Sequence, residues 1–153
     1  GRTQEIQRLI GRSLRAAMRT MAFGEWTIKV DCDVLTADGG TRTASITGGC
    51  VALADACAWL AQRAGIANPF GNLVAAVSVG LVEGEPRLDL AYLEDRDAGV
   101  DANIVMVHPD QFVEVQGTGE HGTFARPELD RLIDLAHGGI RELFAAQQRV
   151  LAE

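Results

Sequence analysis

Several things are scarce in these 153 residues, and each scarcity removes a class of function. There are three cysteines, Cys32, Cys50 and Cys57, an odd number in apolar settings without the spacing of a metal knuckle. Cys50 and Cys57 stand seven apart and share a helix face, where a disulfide is not geometrically natural. Small buried thiols in a reducing cytoplasm are expected instead. The three histidines, His108, His121 and His137, also lack ligand spacing. Neither a Walker loop nor a dinucleotide fingerprint is present, and Ser45 lacks the His/Asp pattern of a hydrolase nucleophile. Apolar runs stop short of a membrane span: residues 43–62 come closest, with Thr43, Ser45, Thr47 and Asp55 interrupting them. No leader pattern, internal repeat, low-complexity tract or domain linker is visible. Basic residues are outnumbered, 14 Lys and Arg against 21 Asp and Glu, so a protein that coats nucleic acid nonspecifically is disfavoured.

What is present builds a layered α+β domain. Residues 3–22 carry Ile6, Leu9, Ile10, Leu14, Met18 and Met21 at three- and four-residue steps, predicting an amphipathic helix. Arg8, Arg12, Arg15 and Arg19 form a basic stripe along it, suited to solvent, a partner or RNA. Residues 26–35 alternate apolar and polar as a half-buried strand does. A second, largely buried helix runs to about residue 64. Strands are expected over 73–82, 87–93, 102–108 and 112–116, paired as two hairpins in a mostly antiparallel sheet, and a closing helix over 127–152. The chain starts Gly1-Arg2-Thr3-Gln4, straight into helical sequence without an initiator Met, as expected of one domain (1–153) lacking its N-terminal portion.

Two clusters carry chemistry. Asp38-Gly39-Gly40-Thr41-Arg42-Thr43-Ala44-Ser45 places glycines, hydroxyls and a guanidinium just before the second helix. Glycine permits close backbone approach, helix N-terminal amides attract anions, and arginine grips phosphate with paired hydrogen bonds. The plain alternative is a turn in which Thr43 or Ser45 caps the helix. Asp95 and Asp101 flank a loop between two expected strands; such a pair suits Mg²⁺ or general acid catalysis, or is simply a soluble acidic turn.

The blocks from Gly1 to Arg15, Ile28 to Leu35, Ala37 to Gly48, Leu90 to Asp95 and Glu114 to Thr118 closely resemble the ribonuclease PH family of phosphorolytic 3′–5′ exoribonucleases. The resemblance covers nearly the whole chain. It implies a ribosomal protein S5 domain 2-like (RNase PH-like) fold and tRNA nucleotidyltransferase activity. Such enzymes trim the 3′ ends of precursor tRNA and other RNA, using inorganic phosphate and releasing nucleoside diphosphates. It places phosphate ligands on Arg2, Gly40, Thr41 and Arg42. It places catalytic, metal-holding carboxylates on Asp95 and Asp101, with Mg²⁺ or Mn²⁺ as cofactor. It further implies a homohexameric ring of dimers in the cytoplasm, away from membranes. Departures are few: Trp26 where the family has a polar or charged residue, Gly119 for a usual alanine, and different residues between the two aspartates. A noncatalytic RNA-binding ring subunit of the same fold is the alternative, although such subunits would lack the arginine or the aspartate pair. A related small-molecule kinase would need a Ser-Ser nucleotide loop and a base that this chain does not offer.

Overall fold

The computed structural model describes every residue except Ala22; the side chain of Arg2 lies outside the described set as well. Helix α1 spans Arg2–Ala16, α2 Thr41–Ala64, α3 Tyr92–Asp97 and α4 Arg126–Leu151. Strands β1 (Val74–Val82), β2 (Glu85–Leu88), β3 (Val100–Val107) and β4 (Gln111–Gly119) form one antiparallel sheet in the order β2-β1-β3-β4. Helices α1 and α2 cover one face and α4 the other. The interior between these layers is a single cluster that includes Leu9, Ile46, Val77, Ile104, Ile140 and Phe144.

The central strand explains this layering. Its apolar run is buried along almost its whole length, because both faces of β1 lie under helices. Cys50 and Thr47 of α2 reach its backbone amides, at Val74 (3.2 Å) and Ala76 (3.1 Å). Gln147 of α4 donates to the carbonyls of Val74 (2.9 Å) and Thr47 (2.8 Å), tying the two helical layers together at one end. By length and apolar composition α2 would suffice to cross a bilayer, contrary to the sequence expectation. Here Ile46, Cys50, Leu53, Cys57 and Leu60 are buried against the rest of the protein.

Five expectations are corrected. The alternating segment 26–35 is not a strand; among the described residues its backbone meets no ladder partner. A period of two makes a strand only where another edge can pair with it. Ile28 still packs against the core, but Cys32 is exposed instead of buried. The first helix ends at Ala16 because Ala17 and Arg19 turn to the 69–72 segment: the Ala17 carbonyl accepts from Gly71 (2.8 Å) and Arg19 N–H donates to Pro69 (2.8 Å). The strand expected over 87–93 stops at Leu88, where Asp89 turns with φ 57°. Asp95 therefore sits on α3 and not at a strand end.

Candidate active site

Asp101 is the second residue of β3, and its register fixes its neighbours: Gly80 of β1 on one side and Thr118 of β4 on the other. Two residues on, Asn103 lies between Ser78 and Gln116. Side chains two apart share a sheet face, so these polar groups form one patch on the face that α1 and α2 cover, while Ala102 and Ile104 enter the core behind it.

The N-terminus of α2 meets this patch. Gly40, its N-cap, is left-handed (φ 58°), and a Cβ there would lie 3.6 Å from Ser78 Oγ and 3.4 Å from Asp89 Oδ1. No side chain caps the helix and no acid occupies its first turn. The hydroxyls that might have capped it point the other way. Thr43 donates to the Gly40 carbonyl (2.8 Å) and Ser45 to the Thr41 carbonyl (2.7 Å), both backward along the helix. The helix therefore presents its positive dipole end and first-turn amides with Arg42 beside them.

The preceding loop is anchored to α3. Asp38 accepts from the N–H of Tyr92 (2.9 Å), the first residue of α3. Gly39, at φ 80°, lies so close to the next strand exit that a Cβ would fall 2.1 Å from the Leu90 carbonyl. Ser78 holds the same exit from below, its hydroxyl accepting from Leu90 N–H (3.1 Å) and its carbonyl from Asp89 N–H (2.8 Å). Glu94 completes α3 by accepting from Ala91 N–H (3.1 Å).

Electrostatics couple the parts. The Asp101 carboxyl is held above the usual aspartate range, first by burial and then by the charges of Glu120 and Asp95, with Arg42 pulling the other way. Asp95 itself is exposed. An oxygen-only set of this kind suits a hard cation that relieves the carboxylates' repulsion; Mg²⁺ needs only one or two carboxylates when substrate phosphates and water fill its remaining positions. Among the described residues no three His, Cys, Asp or Glu side chains converge as a metal cage. On the other side of Arg42 a cleft of about 390 Å³ opens between α1 and β4, lined by Gln4, Arg8, Arg12, Glu114 and Gln116 among others; Arg12 and Glu114 form an ion pair across it.

Of the six residues singled out from the sequence, Gly40, Thr41 and Arg42 form the start of α2, and Asp95 and Asp101 approach it from α3 and β3. Arg2 belongs to α1, but its side chain lies outside the described residues. Sequence reasoning missed Ser78, Asp89, Asn103, Gln116 and Glu120. Ser78 had a signal, a lone hydroxyl in the apolar run Val74–Val82; the others come together only through register and turn geometry.

Residues 1–58 match the profile described as 3′ exoribonuclease family, domain 1, and residues 72–139 that of domain 2. The chain is 56% identical over 154 residues to Ribonuclease PH of Nocardia farcinica, an alignment covering 99% of this chain and 60% of the relative. It is 58% identical over 154 residues to Ribonuclease PH of Corynebacterium diphtheriae, covering 100% and 64%. It thus spans 60–64% of the length of these relatives. In fold it is similar to rice (Oryza sativa) Rrp46, with TM-score 0.71 at 16% identity, covering 99% of this chain and 67% of that one. It is similar too to a chain of the Archaeoglobus fulgidus exosome with RNA bound to the active site, with TM-score 0.68 at 19% identity, covering 94% and 60%.

Proposed function

The chain belongs to the 3′ exoribonuclease family, and from that premise we propose that it carries the phosphorolytic centre of a ribonuclease PH-type 3′–5′ exoribonuclease. The observation that carries this reading is the uncapped N-terminus of α2, with Arg42 on its first turn and Asp101 coupled to it from the sheet. An anion site beside a partly desolvated carboxyl suits an attack by inorganic phosphate on a phosphodiester.

In this mechanism the amides of Gly40 and Thr41 and the guanidiniums of Arg42 and Arg2 hold inorganic phosphate in line with the terminal phosphodiester. A phosphate oxygen forms a new bond to that phosphorus, and the bond to the 3′-oxygen of the penultimate nucleotide breaks. The terminal nucleotide leaves as a nucleoside diphosphate. The departing 3′-oxygen takes up a proton from solvent by way of Asp95, the general acid of this reading. Asp101, with Asp95, would hold Mg²⁺ or Mn²⁺, which when bound neutralises charge on the phosphoryl oxygens.

The same reading makes the substrate the 3′ end of precursor tRNA and other RNA, the enzyme a tRNA nucleotidyltransferase, and its assembly a hexameric ring of dimers. We further propose that residues 1–153 act as one domain around their common core and that the protein works in the cytoplasm, with α2 serving as a core helix and not a membrane anchor. The decisive experiment incubates the protein with 3′-extended RNA and Mg²⁺, with and without inorganic phosphate. Phosphate-dependent release of nucleoside diphosphates is expected; monophosphates, or cleavage without phosphate, would make it a hydrolase.

A further inference from the structure

Charge in this molecule is distributed unevenly. Five of its 14 cationic side chains, Arg2, Arg8, Arg12, Arg15 and Arg19, lie in the first nineteen residues, where Glu5 is the lone carboxylate. The rest of the chain is strongly acidic. At 100° per residue, Arg8, Arg12 and Arg15 fall within one narrow stripe of α1, roughly opposite the side that buries Leu9, Ser13 and Ala17. All three are exposed, and Arg12 is held by Glu114 at the cleft, whereas Arg8 and Arg15 have no acidic partner among the described residues. The stripe is continuous with the anion site. Gln4 and Arg8 line the cleft that contains Arg42, and the same two side chains join Gln7 and Arg15 in lining a second, shallower cleft of about 290 Å³ on the outer surface of α1.

We propose that this stripe is a track for the RNA strand upstream of its 3′ end, with backbone phosphates passing from the Arg42 cleft over Arg8 to Arg15. The proposal rests on the phosphorolytic reading above and adds the path the substrate takes to reach the site. Arg8 and Arg15 are about 10 Å apart along the helix axis, so they meet different phosphates and read no base. Gln4 and Gln7, which line the same cleft, can hydrogen-bond sugar or phosphate oxygens. A basic stripe on a body of net negative charge orients an RNA strand, since the remainder of the chain carries an excess of acidic groups. Nucleotides beyond the reach of Arg15 add nothing, so affinity grows with the length of the single-stranded tail and then levels off.

The test compares a trinucleotide with a twelve-nucleotide single-stranded RNA, using the 153-residue protein and its Arg15→Glu and Arg15→Lys variants. Arg15 is chosen because it lies away from the proposed phosphate and carboxylate groups. For the twelve-mer, Arg15→Glu is expected to raise KM about ten-fold and to lower the salt slope of binding by about 0.7 or more, as loss of a phosphate contact on a single strand does. Trinucleotide phosphorolysis stays unchanged, and Arg15→Lys restores the twelve-mer. Equal effects on both lengths, or none on either, would overturn the track. So would an altered sedimentation coefficient with unchanged RNA affinity, which assigns the stripe to contacts with a second copy. Failure of the unsubstituted protein to release nucleoside diphosphates from either RNA would instead sink the phosphorolytic reading, and the salt slope would still decide whether Arg15 meets a phosphate.

Discussion

Arg42 and Asp101 face one another across the site with opposite demands, and each can be tested alone. Arg42 is half-buried on the first turn of α2 and belongs to no part of the apolar core, so Arg42→Ala should leave thermal unfolding nearly unchanged. It should lower phosphorolysis at saturating RNA by about 100-fold or more, the usual cost of removing one preorganised donor; a loss below ten-fold would remove Arg42 from the phosphate site. Asp101 behaves differently because its carboxyl prefers its proton in the folded state. Its contribution to stability is therefore greatest below the ordinary aspartate value of about 3.9 and declines as pH rises through the raised folded value. Asp101→Asn should flatten that decline and unfold at a slightly higher temperature at neutral pH while losing activity. Mg²⁺ should shift the native protein's Asp101 titration downward, and EDTA should reverse the shift; carboxylate chemical shifts across a pH series read both. Gly39 is constrained by space: Gly39→Ala puts a methyl group against the Leu90 carbonyl at a positive φ, and a destabilisation of about 2 kcal/mol or more in denaturant melts is expected.

At the scale of elements, the three long helices and the two hairpins are legible in the sequence, whereas the short helix α3 and the junctions are not. The three- and four-residue spacing of Ile6, Leu9, Ile10 and Leu14 announces α1, and Glu83-Gly84 announces the β1–β2 turn. Nothing local announces that Ala17 will serve the 69–72 turn, or that Asp89 will swing left-handed and release the chain into α3. Those outcomes depend on partners that are remote in sequence: Gly71 and Asn72, which donate to the Ala17 carbonyl, and Ser78, which accepts from Asp89 and Leu90. The site divides along the same line. Gly40, Thr41 and Arg42 are contiguous and open a helix, so a linear motif suffices to find them. Glu120 and Gln116 matter only because antiparallel register brings β4 and the residue after it beside Asp101 and Asn103. The Arg12–Glu114 pair, which bridges α1 and β4, is half in solvent on the arginine side; Arg12→Ala should therefore cost less than about 1 kcal/mol.

Across the whole molecule, order is unequal. β1 and β3 are bonded on both edges and buried, whereas among the described residues the backbone of 23–35 is hydrogen-bonded to no other element, and the segment is mostly exposed. Amide hydrogen exchange should be fast over 23–35 and slowest in Val77–Val79 and Ile104–Met106, because local opening there requires the core to open; uniform protection would contradict this layering. The loop from Asp38 to Gly40 has a quite different consequence. One of its ends holds the first amide of α3, which bears Asp95, and the other begins α2, which bears Arg42. A ligand that orders either end lowers the entropy left for the other to remove, so anion and cation should each tighten the other's binding by the same factor. The phosphate dissociation constant measured across a Mg²⁺ titration, and the Mg²⁺ constant across a phosphate titration, would then close a thermodynamic square through three residues of backbone.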